Sequence, residues 1–198
     1  MPRKVDHDER RRQVLDIACR VIESEGMDAA TVRRVAQEAG CSTTVVSHYF
    51  ANKHQLLELT YRRASEGAKK KVLEVLDRAP GDIEACLEAL LPMDESRHRD
   101  WHIWFSFWGM AIGDPEFAKE HRGYLREVVK ILADTLQQRF GAPNRRLTYE
   151  GEAQRLFALV AGMAVQAVFD DQSVPAERLK ELVATESKRL TQTYGTVT

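Results

Sequence analysis

The sequence predicts an all-α fold of nine helices, three at the front and six behind. Apolar residues recur at helical spacing along almost the whole chain, and no stretch shows the sustained alternation of a half-buried strand. Glycine and proline pairs separate the apolar stretches, at positions where helices end. With 43% hydrophobic and 30% charged residues, the composition is that of an ordinary globular protein.

The first three helices are bounded by recognisable caps. An apolar stripe over 14–22 predicts the first helix, which ends at Gly26. Thr31 can cap a short second helix, and Gly40 can end it in the left-handed conformation. Ser42 is placed to cap a short third helix.

The six helices behind are longer on average. Asn52 and Gln55 resemble a capping box that opens a fourth helix through about Arg78, which Pro80-Gly81 ends. The others are predicted over 83–91, 99–112, 116–140 (closed by Gly141-Ala142-Pro143), 149–169 and 175–194. The polar stretch Met93–Arg97 is predicted to be a loop.

Charge and cysteine content narrow the class of protein. With 29 Lys+Arg and 30 Asp+Glu, affinity for nucleic acid must come from locally placed cations. Cys19, Cys41 and Cys86 are far apart, which favours neither zinc nor a disulfide framework. Residues 1–12 lack the apolar stretch of a secretory signal, and no run approaches the roughly 18 apolar residues of a membrane span. We expect a cytoplasmic protein with no membrane partner, metal or cofactor.

The third helix has the surface of a DNA-reading helix. Its polar side carries small or medium hydrogen-bonding residues, namely Thr43, Thr44, Ser47 and His48. The major groove is about 12 Å wide and admits one helix with such an uncluttered face. No acidic residue lies between Gly40 and Leu57. The alternative is an ordinary solvated helix face.

Cations near this helix are candidate phosphate partners. Lys53 follows it, and Arg33 and Arg34 lie on the second helix. The N-terminal arm adds Arg3, Lys4 and Arg10–Arg12, although such a charge run is equally typical of a solvated surface.

These residues also carry a family resemblance. The stretch Thr31–Ser42, followed by His48-Tyr49-Phe50 and Lys53, resembles the signature of the tetracycline-repressor (TetR) family. The resemblance implies a nine-helix homodimer that binds operator DNA and is released by a ligand. It implies a helix-turn-helix domain over 1–53 and a ligand-sensing and dimerisation domain over 54–198. The DNA-facing set that it supports is Thr31, Arg33, Ser42, Thr43, Thr44, Ser47, His48, Tyr49 and Lys53.

An aromatic helix is the candidate effector site. Trp101, Trp104 and Trp108 fall at i, i+3 and i+7, together with Phe105. Aromatic faces attract quaternary ammonium groups, worth about 2 kcal/mol when desolvated. The alternative interpretation is a buried helix whose aromatic side chains pack in the hydrophobic core and bind no ligand. The candidate acids for such a cage are Asp100, Asp114, Asp170 and Asp171.

A narrower resemblance suggests the effector. Many family members have an aromatic residue at the position of Ser47, whereas the run Val46–Phe50 resembles the choline-responsive repressors of glycine-betaine synthesis (BetI). The stretch 99–108 is also similar to that group. The resemblance implies choline or a related quaternary amine, with polyamines, lipids and drug-like ligands as alternatives.

The eighth predicted helix is apolar nearly all round, with small residues among larger ones. It predicts either a dimer interface shared with the last helix, or a central helix of the monomer core. We expect the long fourth helix to carry the signal from the ligand-sensing domain, near Val72–Leu76, to the helix-turn-helix domain, near Lys53–Leu57.

Rival functions are an all-helical carrier of apolar ligands without a DNA role, and a metal-dependent enzyme. His98 and His102 have i, i+4 spacing, but no Glu or Cys completes a metal site. No nucleophile–base pair or phosphate loop is visible, so the sequence predicts a regulator and not an enzyme.

Overall fold

The computed structural model describes residues 7–141 and 148–195. Within those ranges it contains nine α-helices, one 3-10 turn over Met27–Ala29 and no strand, as predicted. The helices are α1 His7–Glu25, α2 Val32–Glu38, α3 Thr43–Tyr49, α4 Lys53–Arg78, α5 Ile83–Leu90, α6 Glu95–Gly113, α7 Pro115–Phe140, α8 Tyr149–Phe169 and α9 Ala176–Tyr194. The predicted arm residues Arg3 and Lys4, and the helix-ending Ala142 and Pro143, lie outside the described residues.

The caps of the short helices are those that the sequence predicts. The hydroxyl of Thr31 accepts a hydrogen bond from the backbone N–H of Arg34 at 3.1 Å. Gly40 has φ 60°, a conformation that only glycine adopts at little cost, so it turns the chain directly from α2 into α3. At α4, Asn52 accepts from the N–H of Gln55 at 2.9 Å, whereas the Gln55 side chain binds the N–H of Ala51 and not that of Asn52.

One predicted boundary is wrong. Residues 95–97 belong to α6 and not to a loop. Asp94 caps this extra turn, because its carboxylate accepts from the N–H of Arg97 at 2.8 Å and from the Arg97 guanidinium at 2.8 Å. An aspartate followed by a helix-compatible stretch is a start signal that the polar composition obscured.

The described chain divides into two compact units, residues 7–66 with 102–121 and residues 67–101 with 122–195. Helices α4, α6 and α7 each contribute residues to both units. The predicted domain boundary at residue 53 therefore stays a prediction.

The core of the first unit fixes the angle between its short helices. Its members are apolar residues of α1 to α4 that are at most 7% exposed: Val14, Leu15, Ala18, Val35, Ala36, Val46, Phe50 and Leu56. Full burial of such a side chain contributes about 1.5–3 kcal/mol. Val46 on α3, with Phe50 directly after that helix, holds the inner side of α3 against α1 and α2, which leaves its other side outward.

In the second unit, α8 and α9 are joined by an ion-pair network. Arg155 on α8 contacts Glu186 on α9, and Arg189 on α9 contacts Glu152 on α8. Tyr194 donates a hydrogen bond to Glu152 at 3.0 Å. The two carboxylates are about one-tenth exposed, so the network sets how α8 and α9 lie against each other.

None of the helices in the described ranges is both long enough and apolar enough to span a bilayer.

Candidate DNA-binding surface and aromatic site

The polar side of α3 faces solvent. Thr43, Thr44, Ser47 and His48 are all exposed, whereas Val46 on the opposite side is fully buried. Ser42 is also exposed, and its hydroxyl accepts from the N–H of Val45 at 3.4 Å, which caps the helix. The hydroxyl and imidazole groups are thus available to a ligand on the outside of the first unit.

A second helix contributes a side chain to this surface that the sequence did not suggest. The ring of His7, at the start of α1, lies 5.8 Å from that of His48 and 6.0 Å from that of Tyr49. Tyr49 is half-buried, packs on the core and meets the His48 ring edge-on at 5.5 Å. Because 41 residues separate His7 from His48, no local pattern could have joined them.

The two arginines of α2 differ in their surroundings. The guanidinium of Arg34 binds the carboxylates of Glu25 at 2.6 Å and Glu38 at 2.9 Å, and these hydrogen bonds raise its pKa. Its charge is therefore paired within the first unit, and its role as a phosphate partner stays a prediction. Arg33 is exposed and keeps its position as a candidate phosphate partner.

Lys53 lies at the start of α4, on the same unit. Its ammonium group donates to the backbone carbonyl of Asp28 at 3.2 Å. A carbonyl does not cancel the charge, so Lys53 adds a positively charged group that is held in place beside the short helices.

The aromatic residues of α6 fall into two groups. Trp101 and Trp104 are buried, at 2% and 5% exposure, and the indole N–H of Trp101 donates to the carbonyl of Leu90 at 2.9 Å. Phe105 and Trp108 are half-buried and meet edge-on at 5.2 Å. Trp101 belongs to the second unit and the other three to the first.

Two residues of other helices complete the aromatic group of the first unit. The half-buried ring of His121 on α7 lies 5.5 Å from that of Trp108. Its Nδ1 is 2.7 Å from the hydroxyl of Tyr61 on α4. Burial lowers the pKa of His121 below its ordinary value of 6.5, so the imidazole is neutral at pH 7. Sequence reasoning missed both residues.

Three of the four acids proposed for an ammonium cage have other partners. Asp100 binds the ammonium group of Lys71 at 2.7 Å, and Asp170 accepts from the N–H of Ser173 at 3.1 Å. Asp114 caps α7 and binds His54 at 3.1 Å. The fourth, Asp171, is exposed on a turn.

The sequence did not suggest one acid close to the aromatic group, Glu120. Glu120 precedes His121 in the chain, and its negative charge contributes, after burial, to the raised pKa of Tyr61. Its carboxylate binds Arg62 at 3.1 Å, and Arg62 also binds Glu58 at 3.0 Å. Two carboxylates therefore share one guanidinium, which leaves this cluster with a net negative charge.

Metal-ligating residues do not converge in the ranges that the structure describes. No group of three or more His, Cys, Asp or Glu side chains there could hold a metal ion. The three cysteines are free thiols, and burial raises the pKa of Cys86 to about 12. His98, one of the predicted histidine pair, has its Nε2 3.3 Å from the carbonyl of Ala167.

Helix α8 presents two different faces. Leu156, Val160 and Ala164 are at most 1% exposed and belong to the core of the second unit. The opposite face is exposed although it is small or apolar, at Ala158, Gly162, Val165 and Phe169. The buried face belongs to the monomer core, and a dimer interface on the exposed face stays a prediction. A groove of about 520 Å³ separates this face from the start of α9.

Comparison with known proteins identifies the class. Residues 14–60 match the model for bacterial regulatory proteins of the tetR family, and residues 81–192 match that for the C-terminal part of BetI-type transcriptional repressors. The chain therefore belongs to the TetR family of bacterial transcriptional regulators, which are not enzymes. Within that family, its C-terminal domain is of the BetI type.

Individual relatives agree with this assignment. The transcriptional regulator PksA of Bacillus subtilis is 30% identical over 92% of this chain and 90% of its own. A crystal structure of a transcriptional regulator from Rhodococcus sp. has a TM-score of 0.83 at 26% identity, covering 95% of this chain and 99% of that one. A transcriptional regulator from Saccharomonospora viridis, solved in complex with choline, has a TM-score of 0.78 at 20% identity, covering 90% and 95%.

Proposed function

We propose that this protein is a cytoplasmic repressor that binds a palindromic operator as a homodimer and is released by a small organic cation. The observation that carries the proposal is the outer side of α3, where hydroxyl and imidazole groups are exposed above a buried apolar side. The DNA-facing set is Thr31, Arg33, Ser42, Thr43, Thr44, Ser47, His48, Tyr49 and Lys53. Thr31 and Ser42 act as caps that fix the two helices, since their hydroxyls already bind backbone N–H groups.

The homodimer follows from the needs of recognition and from α8. One short helix reads few bases, whereas two copies read half-sites about 34–36 Å apart or a multiple of that distance. The exposed residues Ala158, Gly162, Val165 and Phe169 recur at intervals of four, three and four, which places them along one side of the helix. Small residues let a second helix approach closely, and Phe169, 79% exposed, supplies apolar area to bury.

Choline or a related quaternary amine is the proposed effector. The S. viridis regulator of the same fold was solved with choline, and the C-terminal domain here is of the BetI type. Phe105 and Trp108 are half-buried aromatic rings suited to cation–π contact, and Trp104 is a buried residue of the same helix. Trp101 remains a prediction from the sequence.

A continuous series of ring contacts supports a coupling route inside the first unit. From Trp108 it passes through His121 and Tyr61 to Phe107, at 5.5, 6.1 and 4.8 Å. From Phe107 it continues through Phe117 to His54, at 5.5 and 4.4 Å. His54 is the second residue of α4, directly after Lys53. An effector at Trp108 therefore has a packed path to the DNA-binding end of α4.

The test is a gel shift with the DNA upstream of the protein's own gene. Thr44→Ala and His48→Ala should each weaken binding at least about tenfold, because each removes a contact worth about 1–3 kcal/mol from both half-sites of the homodimer. Thr193→Ala, at another exposed threonine, is the matched control. Choline should release the wild-type complex but not that of Phe105→Ala/Trp108→Ala.

Other outcomes would point to the rivals. Failure to bind any upstream fragment, with retained affinity for apolar ligands, would replace the repressor with a helical carrier. Operator binding that choline leaves unchanged, and that a lipid or drug-like ligand releases, would keep the repressor and change the effector.

A further inference from the structure

Three rings of the first unit lie next to one another, and each of them is half-buried. Phe105 and Trp108 on α6 are 5.2 Å apart, and Trp108 and His121 are 5.5 Å apart. The hydroxyl of Tyr61 holds the third ring through its Nδ1 at 2.7 Å. Phe105 and Trp108 cannot change their charge, whereas His121 can.

We infer that His121 is the specificity-determining residue of the effector site, which accepts an organic cation while the imidazole is neutral and rejects it once the imidazole is protonated. The inference rests on the proposed function, because it concerns the charge selectivity of the same site. A neutral imidazole is one more aromatic wall for an ammonium group. An imidazolium at the same distance repels that group.

Among the groups around the proposed site, His121 is the one whose charge we expect to change with pH. On α4, Tyr61 is a buried phenol whose pKa is raised by burial, so it stays protonated. Arg62 joins Glu58 of α4 to Glu120 of α7, and this cluster keeps a net negative charge at neutral pH. On α6, Trp108 contacts His121 and Phe107 contacts Tyr61, and both of these α6 residues are uncharged. A negative cluster beside neutral rings favours a cation.

The direction of the pH effect follows. Because the deprotonated imidazole is the competent form, choline affinity is constant well above the pKa of His121 and falls below it. The fall approaches about tenfold per pH unit when the cation binds only the neutral form. An uncharged ligand of the same shape should show no such fall.

The experiment is calorimetric titration of the full-length protein with choline and with 3,3-dimethyl-1-butanol, its uncharged carbon analogue, from pH 8.0 to pH 5.0. Wild-type protein should lose choline affinity as the pH falls through the pKa of His121 and keep its affinity for the alcohol. His121→Asn, which retains a hydrogen-bonding partner for Tyr61 but cannot be protonated, should bind choline with little pH dependence. His121→Lys should bind the alcohol and not choline at any pH.

The outcomes separate this inference from the proposed function. No choline binding at pH 8.0 would overturn the effector class and the inference together. Choline binding with the same pH dependence in wild type and His121→Asn would overturn the inference alone. Binding of the alcohol reports that each variant is folded, so loss of choline alone in His121→Lys cannot be ascribed to a damaged protein.

Discussion

The Nε2 atom of His54 lies 3.1 Å from a carboxylate oxygen of Asp114. The other oxygen of Asp114 accepts from the N–H groups of Glu116 and Phe117, at 2.9 and 3.3 Å, and so caps α7. The His54 ring also packs on Phe117 at 4.4 Å. One carboxylate therefore holds the first turn of α7 and the first turn of α4, 60 residues apart in sequence.

This link should be needed for the effector to release DNA. Asp114→Asn keeps an oxygen that can cap α7 but removes the charge that binds His54. We expect near-normal operator affinity without effector. The release factor, which is the fold by which saturating choline weakens operator binding, should be reduced. Coupling in allosteric proteins is typically 5–150-fold. Operator affinity with and without saturating choline measures it.

Glu116→Gln is the matched control, because that carboxylate is 3.7 Å from His54 and 80% exposed. A surface pair of this kind contributes little. Equal release factors in Asp114→Asn and wild type would show that the link plays no part in the signal.

The two arginines of α2 should differ in their effect on the salt dependence of operator binding. Each phosphate contact contributes about 0.9 to the slope of log K against log salt, so Arg33→Ala should lower the slope by about 1.8 in a dimer. Arg34→Ala should leave the slope unchanged, because Arg34 is paired with Glu25 and Glu38. Filter binding or fluorescence anisotropy from 50 to 300 mM salt gives both slopes. The reverse order would contradict the placement of Arg33 at the DNA.

The α8–α9 network should make stability depend on pH. Partial burial acts to raise the pKa of Glu152, but hydrogen bonds from Arg155 and Tyr194 outweigh it and hold the pKa below its ordinary value of 4.5. A carboxyl group whose pKa is lowered by folding stabilises the folded state at pH values above its ordinary pKa. This contribution is lost as the pH falls through the pKa of the folded state. Glu152→Gln should therefore lower the free energy of unfolding at pH 7 by roughly 1.5–3 kcal/mol, and by much less near pH 3.5.

Urea unfolding at the two pH values measures this difference. Glu150→Gln, on the exposed side of the same helix, is the control and should change neither value. A loss that is the same at both pH values would mean that the charge of Glu152 is not what stabilises the pair of helices.

The exposed face of α8 should be the dimer contact. Val165→Glu/Phe169→Glu places two charges on it, and the desolvation cost of burying them should leave the protein monomeric. Sedimentation velocity gives the mass, and circular dichroism reports whether the helices persist. Ile112→Glu is the control, since Ile112 is apolar and 90% exposed but lies at the end of α6. A double variant that still sediments as a dimer would remove α8 from the interface.

Local signals predicted most of the fold. Thr31, Ser42 and Gly40 act within one helical turn, so the short helices could be derived from neighbouring residues alone. The exposed side of α3 followed from the same periodicity. The error at residues 95–97 arose because a polar stretch resembles a loop unless the cap at Asp94 is given weight.

The effector site could be predicted only in part. The aromatic stripe on α6 was visible, but its division into buried Trp101 and Trp104 and half-buried Phe105 and Trp108 depends on which helices cover it. The link between Tyr61 and His121 spans 60 residues and has no local signature. The pairing of Arg34 with Glu25 likewise needed the packing of α1 against α2.

The internal pairing of basic side chains in the first unit has a consequence for how the regulator searches a chromosome. Arg12, Arg34 and Arg63 each bind a carboxylate of their own unit. Attraction to arbitrary duplex grows with the number of cations free to displace counterions. With these three paired, we expect a shorter residence on random sequence than the number of basic residues in the unit would suggest. More copies would then be available to sample new segments from solution, and occupancy of the target would depend on groove complementarity more than on charge.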